Sequence, residues 1–162
     1  MSRAGLPLIA DQRTEVLILG TFPGEESLSK GEYYANSGNQ FWRIIEIVIS
    51  ANIKGASYAE KLDLLLAHGI GLWDVFSDCE RGGSTDSKIH GEHLNDFVLL
   101  KTRVPRLHTI CFNGTKPAEH TKSLRQLGYR TVVLPSSSGT NTHARVDQKS
   151  VIWRDQIAIA GP

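Results

Sequence analysis

The sequence predicts an α/β fold: a three-layer α/β/α sandwich with a central four-stranded parallel sheet, in a single domain over residues 1–162. Three observations predict it. Short apolar runs alternate with stretches of about a dozen residues whose apolar positions recur at helical spacing, the pattern of strands joined by crossover helices. The runs are apolar throughout rather than at every second position, as expected of parallel strands covered on both faces. No Gly/Ser linker, internal repeat or low-complexity tract divides the chain.

The elements follow in order. Glu15-Val-Leu-Ile-Leu-Gly20 reads as the first strand, ending in glycine. Over residues 40–50, Trp42, Ile45, Val48 and Ile49 recur at helical spacing. Ser57 and Glu60 form an S-x-x-E capping box ahead of the stripe Tyr58, Leu62 and Leu65, and Gly69 is placed to end that helix. Residues 70–76 predict the second strand. Leu94, Phe97 and Val98 mark a helix running into Lys101. Residues 108–112 predict the third strand, and Pro117 suits the first turn of the helix after it. Leu124 and Leu127 face inward there, and Gly128 closes it. Residues 131–134 give the fourth strand. Val146, Ser150, Trp153 and Ile157 give the last helix, with Ser150 the weak position of its stripe.

Composition narrows the functional classes. Apolar residues make up 40% and charged residues 22%, which argues against disorder and against a coiled coil. No window approaches the ~18 uninterrupted apolar residues of a membrane span, so no membrane partner is expected. The opening residues lack the apolar run of a secretory signal, which points to the cytoplasm. Cys79 and Cys111 are too few for a disulfide framework or a four-thiolate metal site. The net charge of +1 conceals an asymmetry: residues 1–100 carry 8 basic and 14 acidic side chains, residues 101–162 carry 10 basic and 3 acidic. Such polarity suits a protein that meets a polyanion with one side, although clustering in sequence is not clustering in space.

In open parallel sheets the ligand sits beyond the carboxyl ends of the strands. Here that means residues 20–41, 77–89, 113–116 and 135–145. The first of these is too long for an ordinary strand-to-helix link and lacks the spacing of a phosphate-cradling loop. It combines Tyr33 and Tyr34 with Asn36 and Asn39, that is, π faces that can stack on a base and amides that can hydrogen-bond its edge or a water. The last is rich in hydroxyls and backbone N–H groups suited to phosphate oxygens.

Together, LILGTFPGEESL, YYANSGNQFW and LPSSSGTN resemble the uracil-DNA glycosylase superfamily, and most closely its hypoxanthine-DNA glycosylase branch. The resemblance spans residues 15–142. Gly71-Leu-Trp-Asp-Val75, with Arg81, Gly83, Ser84 and Asp86, and Phe112-Asn-Gly114 are similar to that branch as well. In several branches the third position of G-x-x-P is an Asp or Asn that activates water. Phe22 stands there in this chain and cannot do so. The resemblance therefore implies that Asn39, of N-x-F-W, is the catalytic residue. It implies that Tyr34 stacks on the extruded base and that Asn113 reads its edge, with Thr21 and Phe22 lining the same pocket. Gly24, Lys116 and Asn141 fall to the DNA backbone, and Ser136, Ser137 and Ser138 to a loop that grips the backbone or wedges into the vacated stack. Where family members often carry a proline after the serines, this chain has Gly139, which leaves the rigidity of the loop open.

The implied activity is hydrolysis of the N-glycosidic bond of deaminated bases after base flipping, with hypoxanthine first and uracil and xanthine as further candidates. The partner is damaged DNA, the protein acts as a monomer, and no metal or other cofactor is required. Asn39 would orient a water through its amide oxygen or hydrogen-bond the base. Phe22 leaves open an alternative, a non-catalytic or weakly catalytic binder of damaged or abasic DNA. A serine hydrolase built on Pro135-Ser-Ser-Ser-Gly139 with His143 lacks the first glycine of the nucleophile elbow. His90 and His93 lack companions at metal-ligand spacing, Cys111 reads as core packing, and Asp74 as structural.

Overall fold

The computed structural model describes residues 3–81, 89–139 and 145–160. A parallel sheet of four strands organises them: β2 (Val16–Gly20), β3 (Ile70–Asp74), β6 (Thr109–Asn113) and β7 (Arg130–Leu134), in the order β3-β2-β6-β7. A short strand, β1 (Arg3–Ala4), precedes them, and the pair β4 (Phe76–Arg81) and β5 (Ile89–Leu94) lies between β3 and β6 in the chain.

Every residue of β2 and β3 is buried, as the uninterrupted apolar runs predict. The strand period of two then divides their side chains between two cores. Val16, Ile18, Ile70 and Leu72 pack against α2 (Phe41–Val48), α3 (Tyr58–Ala67) and Trp153 of α6 (Val146–Ala160). Leu17, Leu19, Trp73 and Phe112 face the opposite way, toward Leu100 of α4 (Leu100–Arg103) and Leu124 of α5 (Thr121–Gln126). Two cores on two faces of one sheet give the expected three layers.

The predicted capping box is formed. Ser57 Oγ accepts from Glu60 N at 3.2 Å, and Glu60 Oε1 accepts from Ser57 N at 3.1 Å. That second bond holds the Glu60 carboxyl below the usual glutamate range. Ser57→Ala is expected to cost about 1 kcal/mol of stability in urea denaturation. Gly69 and Gly128 follow their helices in the left-handed region, at φ of +73° and +97°.

Four elements depart from expectation. The run 70–76 is not one strand: at Val75 the chain leaves the parallel sheet, and Phe76 begins β4, which pairs antiparallel with β5 and with β1 in a second sheet. The helix expected from Leu94 is shorter and starts later. Asp96 Oδ1 accepts from Val98 N and opens a single 3₁₀ turn over Phe97–Leu99 before α4, which stops ahead of Pro105. Leu94 and Val98 consequently remain exposed, and only Phe97 of that stripe is buried. The helix after β6 begins as a 3₁₀ turn, Pro117–His120. Finally, α1 (Glu25–Lys30) occupies part of the segment read as one long loop.

Candidate active site

At the carboxyl ends of the parallel strands lies a cavity of about 670 Å³, where the open-sheet rule places a ligand. Thr21, Phe22 and Gly24 line it from the strand end of β2, Tyr34 and Asn39 from the segment before α2, and Asn113 from the end of β6. Ser136, Ser137 and Ser138 line it from the segment after β7. Lys116 is outside the lining, exposed and paired with Glu119 at 3.6 Å. Asn141 lies outside the described residues, as do Gly83, Ser84, Asp86 and His143.

Hydrogen bonds join the three loops with little freedom of assignment. Ser137 N donates to Asn113 Oδ1 at 2.9 Å, so the Asn113 amide must present Nδ2 on its other side. That group donates to Ser137 Oγ at 2.9 Å and to the Tyr34 hydroxyl at 3.2 Å. Ser137 Oγ in turn donates to Asn39 Oδ1 at 2.8 Å, and the same oxygen accepts from Phe41 N at 2.9 Å. A backbone N–H can only donate, so the Asn39 amide is oriented too. Its oxygen carries two hydrogen bonds, and among the described residues no acceptor takes up its Nδ2 protons.

This wiring refines three of the expected roles. Asn39 is expected to offer either its oxygen to water or a hydrogen bond to the base, and its oxygen already carries the bonds from Ser137 and Phe41. Asn113 commits its amide to Ser137 and Tyr34 in this state rather than presenting it to a base. Ser137, grouped with its neighbours as a backbone contact, is fully buried and forms the hinge of the network, whereas Ser136 and Ser138 are half-buried at the rim.

Tyr34 has a left-handed backbone, φ +56°, uncommon for an aromatic residue. Its ring stacks on Phe41 at 3.9 Å between centroids and 14° between planes, and the tyrosine lines the cavity. Phe41 is fully buried, and Trp42 donates Nε1 to the Tyr33 carbonyl, which makes the N-x-F-W aromatics a foundation for the cavity rather than its working surface. Tyr33 is itself buried, with its hydroxyl on the Pro7 carbonyl at 2.8 Å; burial first, and the Asp74 charge second, raise its pKa far above the usual phenol range.

Asp74, read as structural, also lines the cavity and is nearly inaccessible. A Cβ on Gly20 would stand 2.6 Å from Asp74 Oδ1 and 3.2 Å from the Tyr34 hydroxyl, so glycine at the end of β2 is what lets these groups close on the strand. Gly139 has a similar reason. A Cβ there would lie 2.2 Å from the Gly38 carbonyl oxygen, so the two loops meet backbone to backbone. That contact, with Gln40 N donating to Ser137 O at 2.8 Å, supplies the order that a proline would otherwise give the loop.

Three basic residues of the second part of the sequence lie away from this cavity. Arg130 starts β7 beside Thr109, at the far end of the sheet. Lys101 stands 4.0 Å over the ring of the neighbouring Tyr129, and Arg125 reaches Thr131 Oγ1 at 2.9 Å, both at that same far edge. Among the described residues no helix is long and apolar enough to cross a membrane.

The family model for the uracil DNA glycosylase superfamily matches residues 7–156. The chain belongs to that superfamily. Within it, the chain is 48% identical to a protein named hypoxanthine DNA glycosylase from Methanosarcina acetivorans, over 93% of this chain and 95% of that one. It is 41% identical to a protein of the same name from Methanosarcina barkeri, with the same coverage of both chains. The superfamily fold is seen again in a solution NMR structure from Methanosarcina acetivorans, provisionally described as a uracil DNA glycosylase. That structure superimposes with a TM-score of 0.84 at 46% identity, over 96% of this chain and 98% of that one. The superfamily resemblance read from three short motifs therefore extends over nearly the whole sequence.

Proposed function

We propose that this DNA glycosylase excises hypoxanthine from DNA, with Asn39 as the catalytic residue acting through its Nδ2 donor. One observation carries the assignment of role: the Asn39 oxygen is already taken by Ser137 Oγ and Phe41 N, inside a cavity large enough for a base. The substrate follows from the names of the two Methanosarcina relatives.

The target base is out of reach inside a duplex and must be extruded, at a cost of a few kcal/mol that is least for a poorly paired, deaminated base. In the cavity the ring of Tyr34 stacks on it, contributing about 1–3 kcal/mol. The N9–C1′ bond then breaks with its electron pair going to the purine, which leaves oxocarbenium character on the sugar. Water adds to C1′, its hydroxyl completing the abasic sugar and its proton passing to the departing base. A neutral carboxamide has no useful pKa for proton abstraction, but a fixed N–H donor aimed at the growing negative charge lowers the barrier without reorganisation. Backbone N–H groups near Thr21 and Phe22 can add to that stabilisation. Ser136 and Ser138, with Gly24, stand at the rim where the strand would pass, and Lys116 is a phosphate contact beyond it. We read the protein as acting as a monomer.

A panel of labelled duplexes, each carrying hypoxanthine, xanthine or uracil at one position, tests the reading through alkali-sensitive nicks. Cleavage at hypoxanthine is expected to be fastest. Tight binding of an abasic duplex with no release of any of the three bases would replace the glycosylase reading with that of a damage-binding protein.

A further inference from the structure

Behind the two loops that carry Asn39 and the serines lies a lysine with no access to solvent. Lys149, on α6, is fully buried. Its Nζ donates to Gln40 Oε1 at 2.6 Å and to the Ser138 carbonyl at 3.4 Å. One helical turn further on, Trp153, also fully buried, donates Nε1 to the Pro135 carbonyl at 2.8 Å and meets the edge of Phe41 at 5.8 Å. Through these two side chains α6 holds residues 135 and 138 from behind, and it holds residues 40 and 41 at the same time.

A buried ammonium is unfavourable unless hydrogen bonds compensate it, and burial does lower the Lys149 pKa. Packing alone would be served by leucine or methionine. An ammonium differs in that it can serve several acceptors from one point, here one on each loop. Gln40 is the residue next to Asn39, and its own N–H donates to the Ser137 carbonyl. Lys149 therefore fixes the side chain of the residue whose backbone already joins the two loops.

We propose that Lys149 is a positioning residue for base excision: by tying Gln40 to the Ser138 carbonyl it holds Ser137 Oγ on Asn39 Oδ1 and so aims the Asn39 amide. The inference rests on the proposed role of Asn39. Single-turnover cleavage of a hypoxanthine duplex at saturating enzyme tests it, together with the dissociation constant for an abasic duplex. Lys149→Met is expected to slow cleavage by about 10-fold while leaving that dissociation constant unchanged, because sub-ångström misplacement of a catalytic group acts on the rate and not on phosphate contacts. Gln40→Met should reproduce the loss without altering the core of α6, which keeps the test valid if Lys149→Met folds poorly. Lys149→Arg should recover part of the rate. In an Asn39→Ala background, Lys149→Met should cost nothing further.

Parental rates in both Lys149→Met and Gln40→Met would overturn the inference. So would losses that multiply in the double variant, or a fall in affinity with the saturated rate intact. If Asn39→Ala alone is slow while the other two variants are not, only the role of Lys149 fails. If Asn39→Ala cleaves at the parental rate, the role of Asn39 fails first.

Discussion

Asn39→Ala is expected to slow release of hypoxanthine by ~10²-fold or more, the range seen when a positioned donor to a developing anion is removed. Affinity for an abasic duplex should change little, since phosphate contacts dominate binding and Asn39 sits inside the cavity. Some stability should be lost as well, because Asn39 Oδ1 satisfies the N–H of Phe41 at the start of α2, an interaction comparable to a cap at about 1 kcal/mol. Asn39→Asp separates the two chemistries that a carboxamide can perform. One carboxylate oxygen can still accept from Phe41 N and Ser137 Oγ, while the other replaces a donor with a negative charge. If Asn39 acts as a donor to the base, the aspartate variant is no better than alanine. If it activates water, the aspartate variant matches or exceeds the parent. Single-turnover rates of the three proteins on one duplex decide between them.

Gly139→Ala is expected to be the most damaging single methyl in the cavity wall, lowering the excision rate by ~10²-fold, as for a misplacement of about 1 Å. The added carbon would stand 2.2 Å from the Gly38 carbonyl oxygen and 3.2 Å from its carbon. Both are backbone atoms, so no side chain can swing aside. Gly38 immediately precedes Asn39, and its N–H is held on Asn36 Oδ1 at 2.7 Å. The collision can be relieved only by moving the Asn39 turn or the serine loop, and either movement separates Ser137 Oγ from Asn39. Residue 139 is exposed and belongs to no strand, so circular dichroism and the urea midpoint should stay near those of the parent. A Gly139→Ala protein with the parental rate would mean that the contact between the loops is dispensable.

The parallel sheet was legible because its strands are apolar on both faces, so 15–20 and 108–112 could be read with no partner in view. The β4–β5 pair was not, since Ser77, Asp78 and Glu80 carry no apolar alternation; its pairing is decided by backbone bonds and by the chain's exit at Val75. Of the four strand-end segments expected to hold the ligand, 20–41, 113–116 and 135–145 contribute to the cavity wall, whereas no described residue of 77–89 does. Chemical type could not order the serines, because three identical side chains in a row give no sign of which one turns inward. Asp74 closes a run that looks like core, and its carboxylate enters the site only because Gly20 opposite has no side chain. Lys149 resembles any surface lysine on a helix of otherwise mixed polarity. Its burial goes with hydrogen bonds to two carbonyl groups 109 and 11 residues earlier in the chain, a relation invisible to periodicity.

The hydrogen bonds from Asn113 through Ser137 to Asn39 connect positions 24 and 98 residues apart. No excised piece of the chain can hold them, and they form only after the most distant loops have closed. Opening is also governed locally: the corner where these loops meet can come apart while the strands beneath stay paired. Loss of turnover on warming would then report the separation of that corner, at temperatures where spectroscopy still sees an intact sheet.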